Sequence, residues 1–285
     1  MTRAEAIWPP QGQFVTIGGR RVHYWRQGAG QPVVLIHGAN GNLRDWTFHL
    51  AGALAQHHDV IAFDRPSHGY TDGIAKRGDP HGQAALLRAA LAALGVSRPL
   101  IAGHSYGGAV ALAWAVDAPK DVAGLCLIAA PSHEWEGSAG RLYEILDTPI
   151  IGAALAATLP PLIGPRIVRT RLPCIFTPQA MPDGYPAHLG APLALRRETV
   201  RATAADISRL KDVIRRMIPR YAELPMPIEM IHGTADTIVP CDIHADHLIR
   251  AVPHGTLTRL DGVGHMPHHT HPETVLDAFA RLRAA

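Results

Sequence analysis

Six residues, Gly103-His104-Ser105-Tyr106-Gly107-Gly108, constrain this chain more than any other stretch. They follow a short apolar run at 100–102 directly and open an Ala-rich segment of helical length at 107–117. This is G-x-S-x-G between a strand and a helix. A turn that sharp would make side chains at 103 and 107 collide, so glycine is needed at both. The turn leaves Ser105 exposed at a helix N-terminus, where the backbone dipole favours developing negative charge. A plain helix-capping serine is the bland alternative, and the strand-turn-helix placement argues against it.

The rest of the chain repeats the strand-then-helix rhythm. Runs at 14–17 and 21–26 flank Gly18-Gly19 in the pattern of a β-hairpin. Further strands are expected at 33–36, 60–63, 125–129, 228–231 and 257–260, with helices at 46–55, 82–94, 244–251 and 274–282. Strands alternating with helices imply a parallel sheet covered on both faces. From about 131 to 224 the rhythm stops: no clear buried strand appears and prolines recur. That interval reads as an inserted helical cap over a core formed by 1–130 and 224–285, with a loose surface excursion as the alternative.

Charge and cysteines exclude several classes. A formal net charge of +3, with basic residues in scattered pairs such as Arg20-Arg21, gives no reason to expect nucleic acid. Cys126, Cys174 and Cys241 form no CxxC and cannot all pair, which fits a reducing compartment. The first thirteen residues lack the apolar run of a secretory signal, so the expected location is cytoplasmic. The longest apolar stretch, 148–165, is expected to break at Pro160-Pro161 and to be too short for a membrane anchor.

A serine hydroxyl is a weak nucleophile at neutral pH and needs a base, which needs an orienting carboxylate. Asp236 lies just past the strand at 228–231, and His265, after Gly264, just past the strand at 257–260. Both fall at the sheet edge where Ser105 lies, in the chain order Ser, Asp, His. Competing acids are Asp242, Glu134 and Asp64; the last more naturally braces its Asp64-Arg65-Pro66 turn. His265, His268, His269 and His271 tempt a metal reading. Their spacing is not H-E-x-x-H and no carboxylate or cysteine is interleaved, so no metal is expected.

With residues 32–38, Asp64-Arg65-Pro66-Ser67-His68-Gly69, the serine turn, the Asp236 segment and Gly264-His265 in familiar order, the chain resembles the α/β-hydrolase superfamily over nearly its whole length. The resemblance implies a mostly parallel eight-stranded sheet flanked by helices, an inserted helical cap and no cofactor. It also implies an oxyanion hole formed by the backbone N–H groups of Ala39 and Tyr106, with His37 orienting the first loop. Candidate pocket residues are Asn40 and Trp46 in that loop and Ile151, Leu155 and Leu159 in the cap, where few charges fall. The leading expectation is hydrolysis of an ester or related acyl bond of a small, mostly apolar substrate through an acyl-enzyme. The alternatives are C–C bond hydrolysis of a β-diketone-like substrate, and a triad-bearing small-molecule receptor. Epoxide hydrolases and haloalkane dehalogenases, which use an aspartate nucleophile, do not fit Ser105. The small-molecule substrate, the oligomeric state and the choice of bond stay open at this level.

Overall fold

A computed structural model describes residues 2–138 and 140–284. After α1 (Arg3–Ile7), strands β1 (Gln13–Ile17) and β2 (Arg20–Gln27) form the hairpin, turning at Gly18-Gly19. Then come β3 (Gln31–Ile36), α2 (Arg44–Thr47), α3 (Leu50–Leu54), β4 (His58–Phe63), α4 (Pro80–Ala93), β5 (Leu100–His104), α5 (Tyr106–Asp117) and β6 (Gly124–Ile128). The insert holds α6 (Arg141–Asp147), α7 (Ile151–Arg171), α8 (Tyr185–Leu189) and α9 (Arg197–Met217). The chain ends with β7 (Ile228–Gly233), α10 (Ala245–Ala251), β8 (Thr256–Leu260), α11 (Pro267–Thr270) and α12 (Pro272–Ala284).

The strands form one eight-stranded sheet in the order β1-β2-β4-β3-β5-β6-β7-β8, parallel from β4 to β8 and antiparallel at the β1–β2–β4 edge. Its inner strands read as continuous apolar runs because both faces are covered. Neighbouring residues point to opposite faces. Val34, Ile36, Ile61, Phe63 and Ile101 pack under α4 and α5, whereas Val33, Leu35, Val60, Ala62 and Leu100 pack under α3 and α12. Helix α5, which starts at the serine turn, is buried from Tyr106 through Val116, so the turn stands on a rigid support.

Two expectations change. The helix foreseen at 46–55 is divided into α2 and α3, with His49 in a non-helical conformation between them. Helix α7 is continuous over Ile151–Arg171 and so has no break at Pro160-Pro161, although interior prolines ordinarily kink or end a helix. Even so, no single helix among the described residues is long and apolar enough to cross a membrane.

Candidate active site

Ser105 occupies the junction of β5 and α5 at φ 51° and ψ −125°, a conformation costing about 1–3 kcal/mol for a residue with a side chain. Its N–H donates to the Ile128 carbonyl at 2.9 Å, and its carbonyl accepts from the Gly108 N–H at 2.8 Å. A Cβ at 107 would stand 2.1 Å from the Ile36 carbonyl oxygen, and one at 103 would stand 2.3 Å from that of Gly107. Glycine at both is therefore a packing requirement, as the motif implied.

The residues expected as acid and base meet. His265 Nδ1 donates to Asp236 Oδ2 at 2.7 Å, and Asp236 Oδ1 accepts from the N–H groups of Ile238 and Val239 at 2.8 and 2.9 Å. A carboxylate only accepts, so Nδ1 carries the proton and neutral His265 keeps its lone pair on Nε2. Burial works against the charge on Asp236, but hydrogen bonds from His232 and His265 win and hold its carboxyl well below the ordinary range. Ser105, Asp236 and His265 all leave the same edge of the sheet, after β5, β7 and β8. His104 joins the serine turn to the histidine loop by donating from Nε2 to the His265 carbonyl at 2.9 Å.

The loop after β3 lies against the serine. A Cβ at Gly38 would come within 3.2 Å of Ser105 Cβ and 3.0 Å of His104 Nδ1. Three donors converge on the Gly38 carbonyl: His37 Nδ1 at 2.8 Å, Arg65 Nη2 at 3.1 Å and the Gly41 N–H at 3.3 Å. The peptide is planar and trans, so fixing that oxygen aims the Ala39 N–H to the opposite side, where no protein acceptor meets it among the described residues. His37 Nε2 accepts from the Arg65 N–H at 3.0 Å. Burial first, and then the Arg65 charge, push His37 down to about 4, so it stays neutral and orients the loop.

Two of the competing acids are engaged elsewhere and the third faces solvent. Glu134 pairs with Arg215 at 2.6 Å, Asp242 is exposed, and Asp64 accepts from His23, Leu43 and Tyr70 as a buried brace. Of the pocket candidates, Asn40 is exposed with a positive φ. Trp46 is a correction. It is fully buried in the sheet layer beside His268 and offers no surface to a ligand, because α2 turns its apolar side inward. Ile151 is exposed, Leu159 is half-buried, and Leu155 packs within the insert against Leu146, Ala156 and Ala204. A cavity of about 230 Å³ opens between the segment after β6 and α9, lined by Trp135, Ser138, Glu144, Ile207, Lys211 and Asp212 among others. It includes neither Ser105 nor His265.

Sequence reasoning missed Asp45. It accepts from His269 Nε2 at 2.7 Å, Tyr185 Oη at 2.7 Å and His268 Nε2 at 3.3 Å, gathering two of the late histidines on one buried carboxylate. Ligand atoms of Asp45, His104 and His268 come within 4.8 Å of one another, so these three are the residues that could hold a metal among those described. Asp45 serves three donors, while Nδ1 of His104, His268 and His269 is buried with no hydrogen-bond partner among the described residues. Burial, then neighbouring His269, push His268 down to about 4.

A family model described as "Alpha/beta hydrolase family" matches residues 33–278. The chain is 32% identical over 268 residues to the dihydrolipoyllysine-residue acetyltransferase component of the acetoin cleaving system of Pseudomonas putida, covering 92% of this chain and 66% of that protein. It is 33% identical over 145 residues to a 2-hydroxy-6-oxo-2,4-heptadienoate hydrolase of Pseudomonas putida, covering 48% of each. Among solved structures, an esterase of Rhodococcus sp. ECU1013 superposes with a TM-score of 0.69 at 24% identity, over 95% of this chain and 98% of that one.

Proposed function

The chain belongs to the alpha/beta hydrolase family, and from that premise we propose that it is a serine hydrolase cleaving an ester or related acyl bond of a small, mostly apolar substrate. The observation that carries this reading is the 2.7 Å contact between His265 Nδ1 and buried Asp236, at the sheet edge from which strained Ser105 projects. In the proposed reaction Ser105 Oγ attacks the acyl carbon while His265 Nε2 takes its proton, and Asp236 stabilises the imidazolium. The N–H groups of Ala39 and Tyr106 hold the oxyanion. His265 then protonates the leaving alcohol, and water, deprotonated by the same imidazole, releases the acyl group from Ser105. No step needs a cofactor. We read 131–223 as the cap, with Ile151, Leu155, Leu159 and Asn40 toward the substrate. Three free cysteines, Cys126, Cys174 and Cys241, fit a cytoplasmic setting.

The test is Ser105→Ala. Hydrolysis of a p-nitrophenyl ester and labelling by a fluorophosphonate probe should both vanish, with the circular dichroism spectrum unchanged. Turnover retained at the wild-type rate would sink the mechanism. Likeness to a 2-hydroxy-6-oxo-2,4-heptadienoate hydrolase over 145 residues favours a second reading, C–C hydrolysis by the same residues. Turnover of a vinylogous 1,5-diketone with no measurable esterase activity would select it.

A further inference from the structure

We propose that the buried Arg65–Asp206 pair is a positioning device that clamps both oxyanion donors at once and ties their geometry to the seating of helix α9. The inference rests on the serine-hydrolase reading and deepens it. Arg65 is the largest fully buried charged side chain, with no exposed surface. Its guanidinium makes five hydrogen bonds: Nε to the His37 carbonyl at 2.9 Å, Nη2 to the Gly38 carbonyl at 3.1 Å and to His68 Nε2 at 3.3 Å, and Nη1 to Gln83 Oε1 at 2.9 Å and to Asp206 Oδ2 at 2.7 Å. The first two fix the peptide groups that lead into the Ala39 N–H. The same guanidinium lies 4.6 Å from the centre of the Tyr106 ring, whose hydroxyl accepts from Gln83 Nε2 at 3.4 Å. Gln83 Nε2 also donates to Asp206 Oδ1 at 2.9 Å. One planar fork therefore holds the loop of the first donor and the side chain of the second, and Asp206, from the insert, holds the fork.

Stability alone does not explain such a pair. Burial outweighs the Arg65 charge and pushes the Asp206 carboxyl up, so ionised Asp206 is held at a cost. Buried ion pairs are commonly replaced by apolar residues without loss of stability. Asp206 also stands on the apolar stripe of α9 with Ala202, Leu210, Val213 and Met217, where an aliphatic residue would pack as well. The geometry points to orientation: lysine could supply the charge, but a single ammonium cannot reach His37, Gly38 and Asp206 in these directions.

The experiment compares wild type, Arg65→Lys and the double variant Arg65→Met/Asp206→Leu. It measures urea unfolding, kcat and KM for a p-nitrophenyl ester, and the rate of fluorophosphonate labelling. The double variant should fold, with some loss of stability because buried Gln83 and the His37 carbonyl lose partners; in the folded protein kcat and the labelling rate should fall about ten- to a hundredfold with KM within about threefold, because loss of a whole donor costs about 10²–10³. Arg65→Lys should lose kcat in the same direction. A stable double variant with wild-type kcat, or Arg65→Lys with wild-type kcat, overturns the clamp while Ser105 still labels. Wild-type protein that does not label at Ser105 overturns the hydrolase reading first, and the clamp with it.

Discussion

Helices α7 and α9 belong to the same insert and are each 21 residues long, yet they relate to the molecule in opposite ways. Helix α9 has a narrow apolar stripe and buries it: Leu210, Val213, Ile214 and Met217 join the core that holds α4 and α5, and Ala202 is buried beside them on the helix. Polar residues on the same side bond to the turn after β4, with Thr199 Oγ1 donating to the Ser67 carbonyl at 3.0 Å and His68 Nε2 meeting Thr203 Oγ1 at 3.1 Å. Helix α7 is apolar around much of its circumference and leaves Ile151, Leu162, Ile163 and Ile167 exposed. A stripe gives a helix one way to sit, whereas apolarity all round does not. The first helix is part of the frame behind the serine; the exposed faces of the second contribute little to the fold.

The largest effect that would break this contrast is at the clamp. Asp206→Leu with Arg65 retained leaves a guanidinium buried without its counter-charge, and should destabilise by about 3–5 kcal/mol in urea unfolding. Unfolding energetics within about 0.5 kcal/mol of wild type would mean that α9 is as loosely seated as α7.

A second, smaller effect sharpens it through pH. His68 meets Thr203 of α9, and His37 lies beside His68, their ring centres 5.5 Å apart. Burial and then the Arg65 charge lower both, His37 to about 4. A histidine whose folded value lies below its ordinary value of about 6.5 contributes stability that is complete above 6.5. As pH falls toward 4, the unfolded chain takes up protons that the folded one refuses, and that stability is lost. His37 alone accounts for roughly 3 kcal/mol across this window. Helix α7 carries no histidine, aspartate or glutamate, so limited proteolysis should find acid-induced opening at the α9 seam. A midpoint in urea that does not change between pH 7 and pH 4.5 would contradict the buried neutral histidines.

The reach of each interaction along the chain decides what could be read beforehand. The serine turn was legible because its requirements are local: glycines at 103 and 107, a strand before and a helix after. Asp236 and His265 each follow a strand whose apolar run is itself visible, so the contact they make across 29 positions needed only the parallel order of the sheet. Arg65 and Asp206 are 141 positions apart, and nothing local to either predicts the other. A signal was nevertheless present, since an acid on the apolar stripe of α9 has to meet a partner. Trp46 is hard to read from sequence for a related reason: the direction of a side chain on a four-residue helix is set by the core it packs into.

The smallest expected effect on stability falls on α7, and there the readout of interest is selectivity. Ile151 and Leu162 are 62% and 76% exposed. Eleven residues at about 100° each return almost to the same side of a helix, so these two share a face with half-buried Leu155 and Leu159. Ile163 stands at the edge of it, next to Leu159, and Ile167 stands about 160° round from Ile151. Polar substitution of side chains already so exposed removes little buried area, and Ile151→Ser, Leu162→Ser and Ile167→Ser should each leave unfolding within about 0.5 kcal/mol of wild type. If the Ile151–Leu162 face covers the substrate, each acyl methylene it buries adds about 0.8 kcal/mol, or roughly fourfold in kcat/KM, until the cavity is full. A series of p-nitrophenyl esters of increasing acyl length should therefore show a rise in wild type that flattens in Ile151→Ser and Leu162→Ser and persists in Ile167→Ser. A rise unchanged in all three would move the acyl chain away from this helix. A wild-type preference for anionic acyl groups would instead direct attention to the exposed arginines of α7, Arg166, Arg169 and Arg171.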